Sequence, residues 1–368
     1  MSTEKLLQEM KLMRNWTGGT YENYVTVVQQ YEECTGMSLQ ELIDEADDEE
    51  EQGIRMKRRT IKKHLQTFIQ TYMSQIRPST LHKKVALLRT IYKYFEIECP
   101  LIEIPQRVSE ERIEDIPTQQ HIKQAINSTN TKKIKALICF MASSGCGSAE
   151  ARNITLQDMI EATQEYHKEV QIQPWIQKLK KVEHIIPTIK TERQKTKTQY
   201  FMFCTPESMQ FILDYLEERT YYEELTFEDK LFPYSRKGVI AAYDRINKKN
   251  NWGQIKGHNF FRAHSMRKFF ATTLTKNRTD FLITEFLLGH KINKTTAAYY
   301  KLDPQAIKIE YMKIMNELTF FGDIHYSDIE SQEHKELKEL REKTKQQEER
   351  LRHIEKILNK GKNMEVNI

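Results

Sequence analysis

Cysteine is scarce and its spacing serves no structural chemistry. The five thiols, Cys34, Cys99, Cys139, Cys146 and Cys204, include no CxxC pair and leave an odd residue, which excludes a zinc site and a disulfide framework. They read as reduced and mostly buried. No uncharged apolar run approaches the ~20 residues that span a bilayer, and no apolar stretch follows the first lysine. A cytoplasmic protein with no membrane partner is therefore expected. Walker loops and clustered carboxylates are also missing, so no cofactor, nucleotide or metal is expected. Neither sign of charge dominates: 57 Lys and Arg stand against 52 Asp and Glu, a net +5 that is by itself weak evidence for a polyanionic partner.

What is present is the composition of a folded chain with a strongly solvated surface: 39% hydrophobic, 10% aromatic and 30% charged residues over 368 positions. That length favours two domains and an appendage. The charge is unevenly placed. Acids crowd into residues 44–51, whereas residues 55–63 hold Arg55, Lys57, Arg58, Arg59, Lys62 and Lys63 with no acid among them, which reads either as a local basic face or as a solvated helix face next to an acidic loop.

The first hundred residues carry the 3.6 period of helices. Tyr24, Val25, Val28 and Tyr31 mark one over 21–33, and Ile61, Leu65, Phe68, Ile69 and Tyr72 mark another over 60–74. A third, capped by Ser79, places Leu81, Val85, Leu88, Tyr92 and Phe95 on one stripe. Lys83, Lys84, Arg89 and Lys93 remain available on its other side. Pro100, Pro105 and Pro117 then break the periodicity and mark a linker.

We expect a helical domain over 1–107, a second over 108–325 and a charged terminal helix over 326–368. In the second, a helix ends near Ser143, a glycine-bearing turn follows at 144–147, and another helix runs from Glu150 to Ile154. Two β-rich runs, 183–189 and 198–204, predict a small hairpin with a basic turn. In the tail, Leu337, Leu340, Leu351, Ile354 and Leu358 have coiled-coil-like spacing, interrupted by Thr344 and Gln347. A single solvated helix fits it equally.

The chemistry-bearing pattern begins at His264-Ser265-Met266-Arg267, whose i, i+3 spacing sets an imidazole and a guanidinium on one helix face. Leu287-Leu288-Gly289-His290 follows, then Tyr299 and Tyr300 after Thr295-Thr296. A His-x-x-Arg pair alone is common and carries little. The ordered set of His-x-x-Arg, Leu-Gly-His and Thr-Thr-x-x-Tyr at these separations resembles the C-terminal signature of the tyrosine recombinases, the phage-integrase family of integrase and Xer type.

The resemblance covers roughly residues 1–320. It implies a mostly α fold with a small antiparallel β-sheet, a helical core-binding domain and a mixed catalytic domain that together clamp double-stranded DNA. It implies site-specific recombination for an integrated element or plasmid, with a homotetramer acting on two DNA sites. Tyr299 is the implied nucleophile, and the step from His290 favours it over Tyr300. A tyrosine stores the energy of the broken phosphodiester in a 3′-phosphotyrosine ester. Arg267 and His290 would stabilise the phosphate and His264 would assist in proton transfer and phosphate contact.

A lysine in the hairpin turn would protonate the leaving 5′-oxygen. Lys190, Lys195 and Lys197 compete for this role, with Lys195 favoured. Further DNA contacts are expected from Lys57, Arg58, Arg59, Lys62, Lys83, Lys84, Arg89 and Lys197. The helix after Tyr299 carries Ile307, Tyr311 and Met315, a stripe for docking on a neighbouring protomer or for packing within the same chain.

One position departs from the family pattern. Aligned on Gly145 and Glu150, the first catalytic arginine falls on Gly147. Arg152 could substitute, but five residues of helix turn it about 500°, roughly 140° off the original direction. Exposed amides at the helix start could bind phosphate instead. The third reading is a catalytically impaired DNA-binding relative, and a covalent DNA adduct discriminates it from an enzyme. A type IB topoisomerase shares the chemistry but acts as a monomer.

Overall fold

The computed structural model describes residues 2–104, 112–193, 197–292 and 303–322. The chain divides into two compact units, Met1–Glu110 and Glu111–Ile368. The charged segment expected as a terminal helix lies outside the described residues.

The first unit is helical: α1 Thr3–Met13, α2 Gly18–Thr35, α3 Leu39–Glu51, α4 Thr60–Tyr72 and α5 Pro78–Tyr94. Its core joins these helices around Tyr31, Phe68 and Tyr92. The Tyr31 and Tyr92 hydroxyls satisfy each other at 3.1 Å inside that core. Helix α5 begins one residue before the expected cap, with Arg77 at the N-cap and Pro78 at the first helical position. Proline suits that place because its fixed φ is helical and its missing N–H is an orphan there.

The acidic run is helix rather than loop. Ser38 and Glu41 form a capping box at the start of α3, and the carboxylates further along it are used by α4. Glu49 accepts from the Thr60 N–H at 2.8 Å, Glu50 pairs with Arg59 at 2.8 Å, and Glu45 bonds His64 at 2.8 Å. Arg59 also donates to the Ile54 carbonyl, so this residue, expected on DNA, is turned inward.

In the second unit, α6 Gln119–Asn127 leads to α7 Lys132–Ser144, whose residues from Ala136 to Ser144 are all buried. A helix apolar around its whole circumference belongs at the centre of a core. Against it pack α11 Pro206–Thr220 and α13 Ala263–Lys276, with α8 Ser148–Asn153, α9 Leu156–Ala162, α10 Ile172–Leu179 and α12 Arg236–Lys249 completing the layer. Two further α-helices among the described residues are α14 Phe281–Leu287 and α15 Pro304–Ile314.

Strands β1 Ile189–Glu192 and β2 Gln199–Met202 pair antiparallel, Ile189 opposite Met202 and Glu192 opposite Gln199. A two-residue pair, β3 Gln254–Ile255 with β4 His258–Asn259, follows. The first strand lies later than its β-branched cluster suggested. Ile185 and Ile186 are buried, but the Ile186 N–H bonds the Tyr166 hydroxyl and the Thr188 N–H bonds the Ala162 carbonyl. The cluster records burial rather than strand pairing.

The stripe after the nucleophile segment packs within its own unit. Ile307, Tyr311 and Met315 are fully buried, and the Tyr311 hydroxyl donates to the Ser143 carbonyl at 2.9 Å. This removes the stripe as a docking surface for another protomer. Nearby, Glu207 accepts the backbone N–H groups of Phe320 and Phe321, both at 2.7 Å.

Candidate active site

Three turns meet around Arg267. Its helix, α13, is fixed to the core by Met266, Phe270 and Leu274 on one face, which sets Arg267 at the C-terminal end of α7. The α7 helix ends at Gly145, whose φ of +66° is the left-handed conformation that stops a helix. Glycine is required there twice over, because a Cβ would meet the Phe270 ring at 2.2 Å. Arg267 Nη1 donates to the Gly145 carbonyl at 2.9 Å, and Nη2 donates to the Leu288 carbonyl.

Leu288 and Gly289 form the turn that follows α14. Gly289 has φ +61°, and a Cβ there would meet the Tyr200 ring at 2.8 Å. That close approach lets the Leu-Gly-His turn rest against β2. His290 then projects with Nδ1 2.9 Å from Glu285 Oε1. An Nδ1–H donated to that carboxylate leaves Nε2 on the opposite edge of the ring for chemistry. His264, one turn before Arg267, is exposed.

The hairpin supplies the third turn. Arg193 follows β1, and the turn is closed by Arg193 N–H to the Thr198 carbonyl and Lys197 N–H to the Arg193 carbonyl, each 2.8 Å. Arg193 Nη1 donates to the Leu288 carbonyl at 2.8 Å, the oxygen that also receives Arg267. Burial first, and the Arg193 guanidinium second, push the Arg267 pKa below its usual value. Cys146, buried in the glycine turn, has its pKa pushed up to about 12 by that burial, so it is a neutral thiol and no rival nucleophile.

Arg267, His264 and His290 are thus drawn to one end of the second unit, while Lys195, Tyr299 and Tyr300 lie outside the described residues. Lys190 is exposed on β1, and Lys197 reaches Glu192 at 3.2 Å from a left-handed backbone of φ +54°. Arg152 folds back on its own helix, with Nε 3.2 Å from the Ser148 carbonyl.

In the first unit Lys57, Arg58 and Lys83 are exposed and Lys62 is half-buried. Lys84 bonds Gln30 and lies 5.3 Å over the Tyr72 ring, and Arg89 has its Nε buried. Arg193 and Glu285 were not singled out from sequence. Arg193 showed only as one charge in a basic turn, and the five-residue step from Glu285 to His290 fits no recognised motif.

A mostly helical unit with a small hairpin, in which one buried arginine ties a glycine turn to a Leu-Gly-His turn, is the catalytic architecture of a tyrosine recombinase. Residues 111–306 match the phage integrase family model, and the chain belongs to that family. It is 21% identical to the tyrosine recombinase XerC of Staphylococcus epidermidis over 255 residues, covering 66% of this chain and 77% of that one. The XerC of Lactobacillus delbrueckii is likewise 21% identical over 268 residues, covering 68% and 81%.

Among solved structures, the fold is similar to the XerH site-specific recombinase bound to a palindromic difH substrate, with TM-score 0.52, 16% identity and 83% of each chain covered. The Tn1549 transposon integrase in complex with transposon right-end DNA also gives TM-score 0.52, at 12% identity over 84% of this chain and 98% of that one. The family match and the recombinase relatives lend no support to the reading as an impaired relative. Among the described residues no helix is long and apolar enough to cross a membrane.

Proposed function

We propose that this tyrosine recombinase cuts and rejoins double-stranded DNA at specific sites through Tyr299. The Tyr299 oxygen forms a bond to the scissile phosphorus and loses its proton to an imidazole of His264 or His290. The bond from phosphorus to the 5′-oxygen breaks, and Lys195 returns a proton to that oxygen. The 3′-phosphotyrosine ester keeps the energy of the broken bond, so a 5′-hydroxyl from another strand reverses the step without nucleotide or metal. Arg267 neutralises the charge gathering on the non-bridging oxygens.

The observation that carries this reading is the buried Arg267, held by two backbone carbonyls between the glycine turn and the turn bearing His290. Lys57, Arg58, Lys62, Lys83 and Lys197 would contact the DNA backbone, and a homotetramer on two duplexes would exchange the strands. The test is a set of nicked duplexes tiling the DNA that flanks the chain's own gene, on which cleavage traps the enzyme. An SDS-resistant adduct that Tyr299→Phe abolishes establishes the nucleophile. Specific binding with no adduct on any duplex removes the enzyme reading and leaves a DNA-binding relative.

A further inference from the structure

A phosphodiester under attack gathers a second negative charge, and a single guanidinium is a meagre counterweight to it. Position 147, beside Arg267, offers none. Its backbone, φ −77° and ψ 162°, is open to any residue, so glycine is not there for conformational reasons. The space a side chain would enter is taken by Glu150, whose Oε2 lies 2.3 Å from where a Cβ would stand. Arg152, the nearest alternative in sequence, spends its Nε on its own helix.

Arg193 arrives from another direction. The hairpin turn delivers its guanidinium to the Leu288 carbonyl, and Arg267 donates to the same oxygen. Two like charges on one acceptor repel, and hydrogen bonds to the Gly145 and Leu288 carbonyls hold them together, with the buried Glu150 carboxylate adding an attraction to Arg267. One carboxylate against two guanidiniums leaves an excess of positive charge that a phosphate would offset. Among the described residues a single N–H of the Arg193 fork is committed, to Leu288, and the planar fork suits bidentate recognition of phosphate. Tyr200, buried against Gly289, has a hydroxyl with no partner among the described residues, and both guanidiniums act on it.

We propose that Arg193 is a catalytic residue that supplies the second guanidinium to the scissile phosphate, in place of the side chain that position 147 lacks. The inference rests on the strand-transfer reading above. It explains how Gly147 is compatible with activity, and it gives the hairpin two tasks at the phosphate: proton delivery from its lysine and charge neutralisation from its arginine.

The experiment compares wild type, Arg193→Ala and Arg193→Lys on the nicked duplexes, reading the rate of SDS-resistant adduct formation and, separately, duplex affinity by fluorescence anisotropy. Arg193→Ala is expected to slow adduct formation by roughly 10²–10³-fold, the loss seen on removing one oxyanion donor, while affinity changes only a few-fold. Arg193→Lys keeps the charge without the fork and is expected to fall between the two. A wild-type adduct rate preserved in both variants overturns the proposal. So does a loss of affinity equal to the loss of rate, which makes Arg193 a general DNA contact. A wild-type chain that forms no adduct removes the strand-transfer reading and this inference with it, an outcome distinct from an adduct indifferent to Arg193.

Discussion

Gly289→Ala isolates the approach on which the site geometry depends. A left-handed backbone costs a residue with a Cβ about 1–2 kcal/mol. The new methyl would stand 2.8 Å from the Tyr200 ring, which is buried and cannot retreat into solvent. Overpacking of that kind costs a further ~1–3 kcal/mol, so the total is about 2–5 kcal/mol. Gly253→Ala is the control in the same unit: its φ of +67° carries the same backbone cost, but nothing lies within 4 Å of its added Cβ. For a unit of this size each kcal/mol lowers the melting transition by about 2–4 °C. Calorimetry should therefore show a drop of about 4–20 °C for Gly289→Ala and about 2–8 °C for Gly253→Ala. Below both transitions, Gly289→Ala should also slow adduct formation, because the Leu288 carbonyl moves with the turn, whereas Gly253→Ala should not. Equal destabilisation by the two substitutions would refute the packing argument.

Arg267→Lys removes the planar fork that spans Gly145 and Leu288. It should reduce adduct formation by roughly 10²-fold or more in the nicked-duplex assay, with a loss of stability in urea because the Gly145 carbonyl loses the Arg267 donor and the Leu288 carbonyl keeps only Arg193 of its two. Glu285→Leu frees the imidazole of His290 to take the other tautomer and should slow the same reaction by at least about tenfold without changing duplex affinity. Glu49→Ala uncaps α4 and should destabilise the first unit by about 1 kcal/mol in chemical denaturation, leaving the melting of the second unit unchanged. Deleting the residues after 328 tests the tail: a fall in mass by light scattering assigns it to oligomerisation, and an unchanged mass makes it a solvated appendage.

The parts of this protein that sequence reveals are those governed by local rules. The His264 to Arg267 face is readable because both residues sit one turn apart on a helix whose other side is apolar. Ser79 was taken as a cap because a polar residue preceded an apolar stripe, yet the competing preference of Pro78 for the first helical position prevailed. The acidic run was taken for a loop because composition does not disclose partners in the next helix. The hairpin was anticipated, but its first strand was placed too early because buried isoleucines resemble a strand whatever their backbone bonds.

The convergence of Arg193 with Arg267 joins residues 74 positions apart, and no local pattern announces it. The pairing of Ile307, Tyr311 and Met315 with their own core was open for the same reason: a helix stripe does not say which surface it meets.

The way α7 ends has a consequence for how Arg267 can hold a phosphate. The carbonyls at the end of a helix carry a partial negative charge of about half a unit, enough to favour a cation at that place. Arg267 receives part of its compensation from such a terminus, through the Gly145 oxygen, and part from one further peptide dipole at Leu288, beside the attraction of the Glu150 carboxylate. Dipoles stabilise a buried cation without cancelling its charge. A carboxylate bonded in the same place would have to be displaced before DNA could enter, and each turnover would begin by breaking an ion pair. Here the hydrogen bonds of Arg267 go to carbonyl oxygens while the buried Glu150 carboxylate attracts it from nearby, so among the described residues an incoming phosphate has no hydrogen-bonded ion pair of Arg267 to break first.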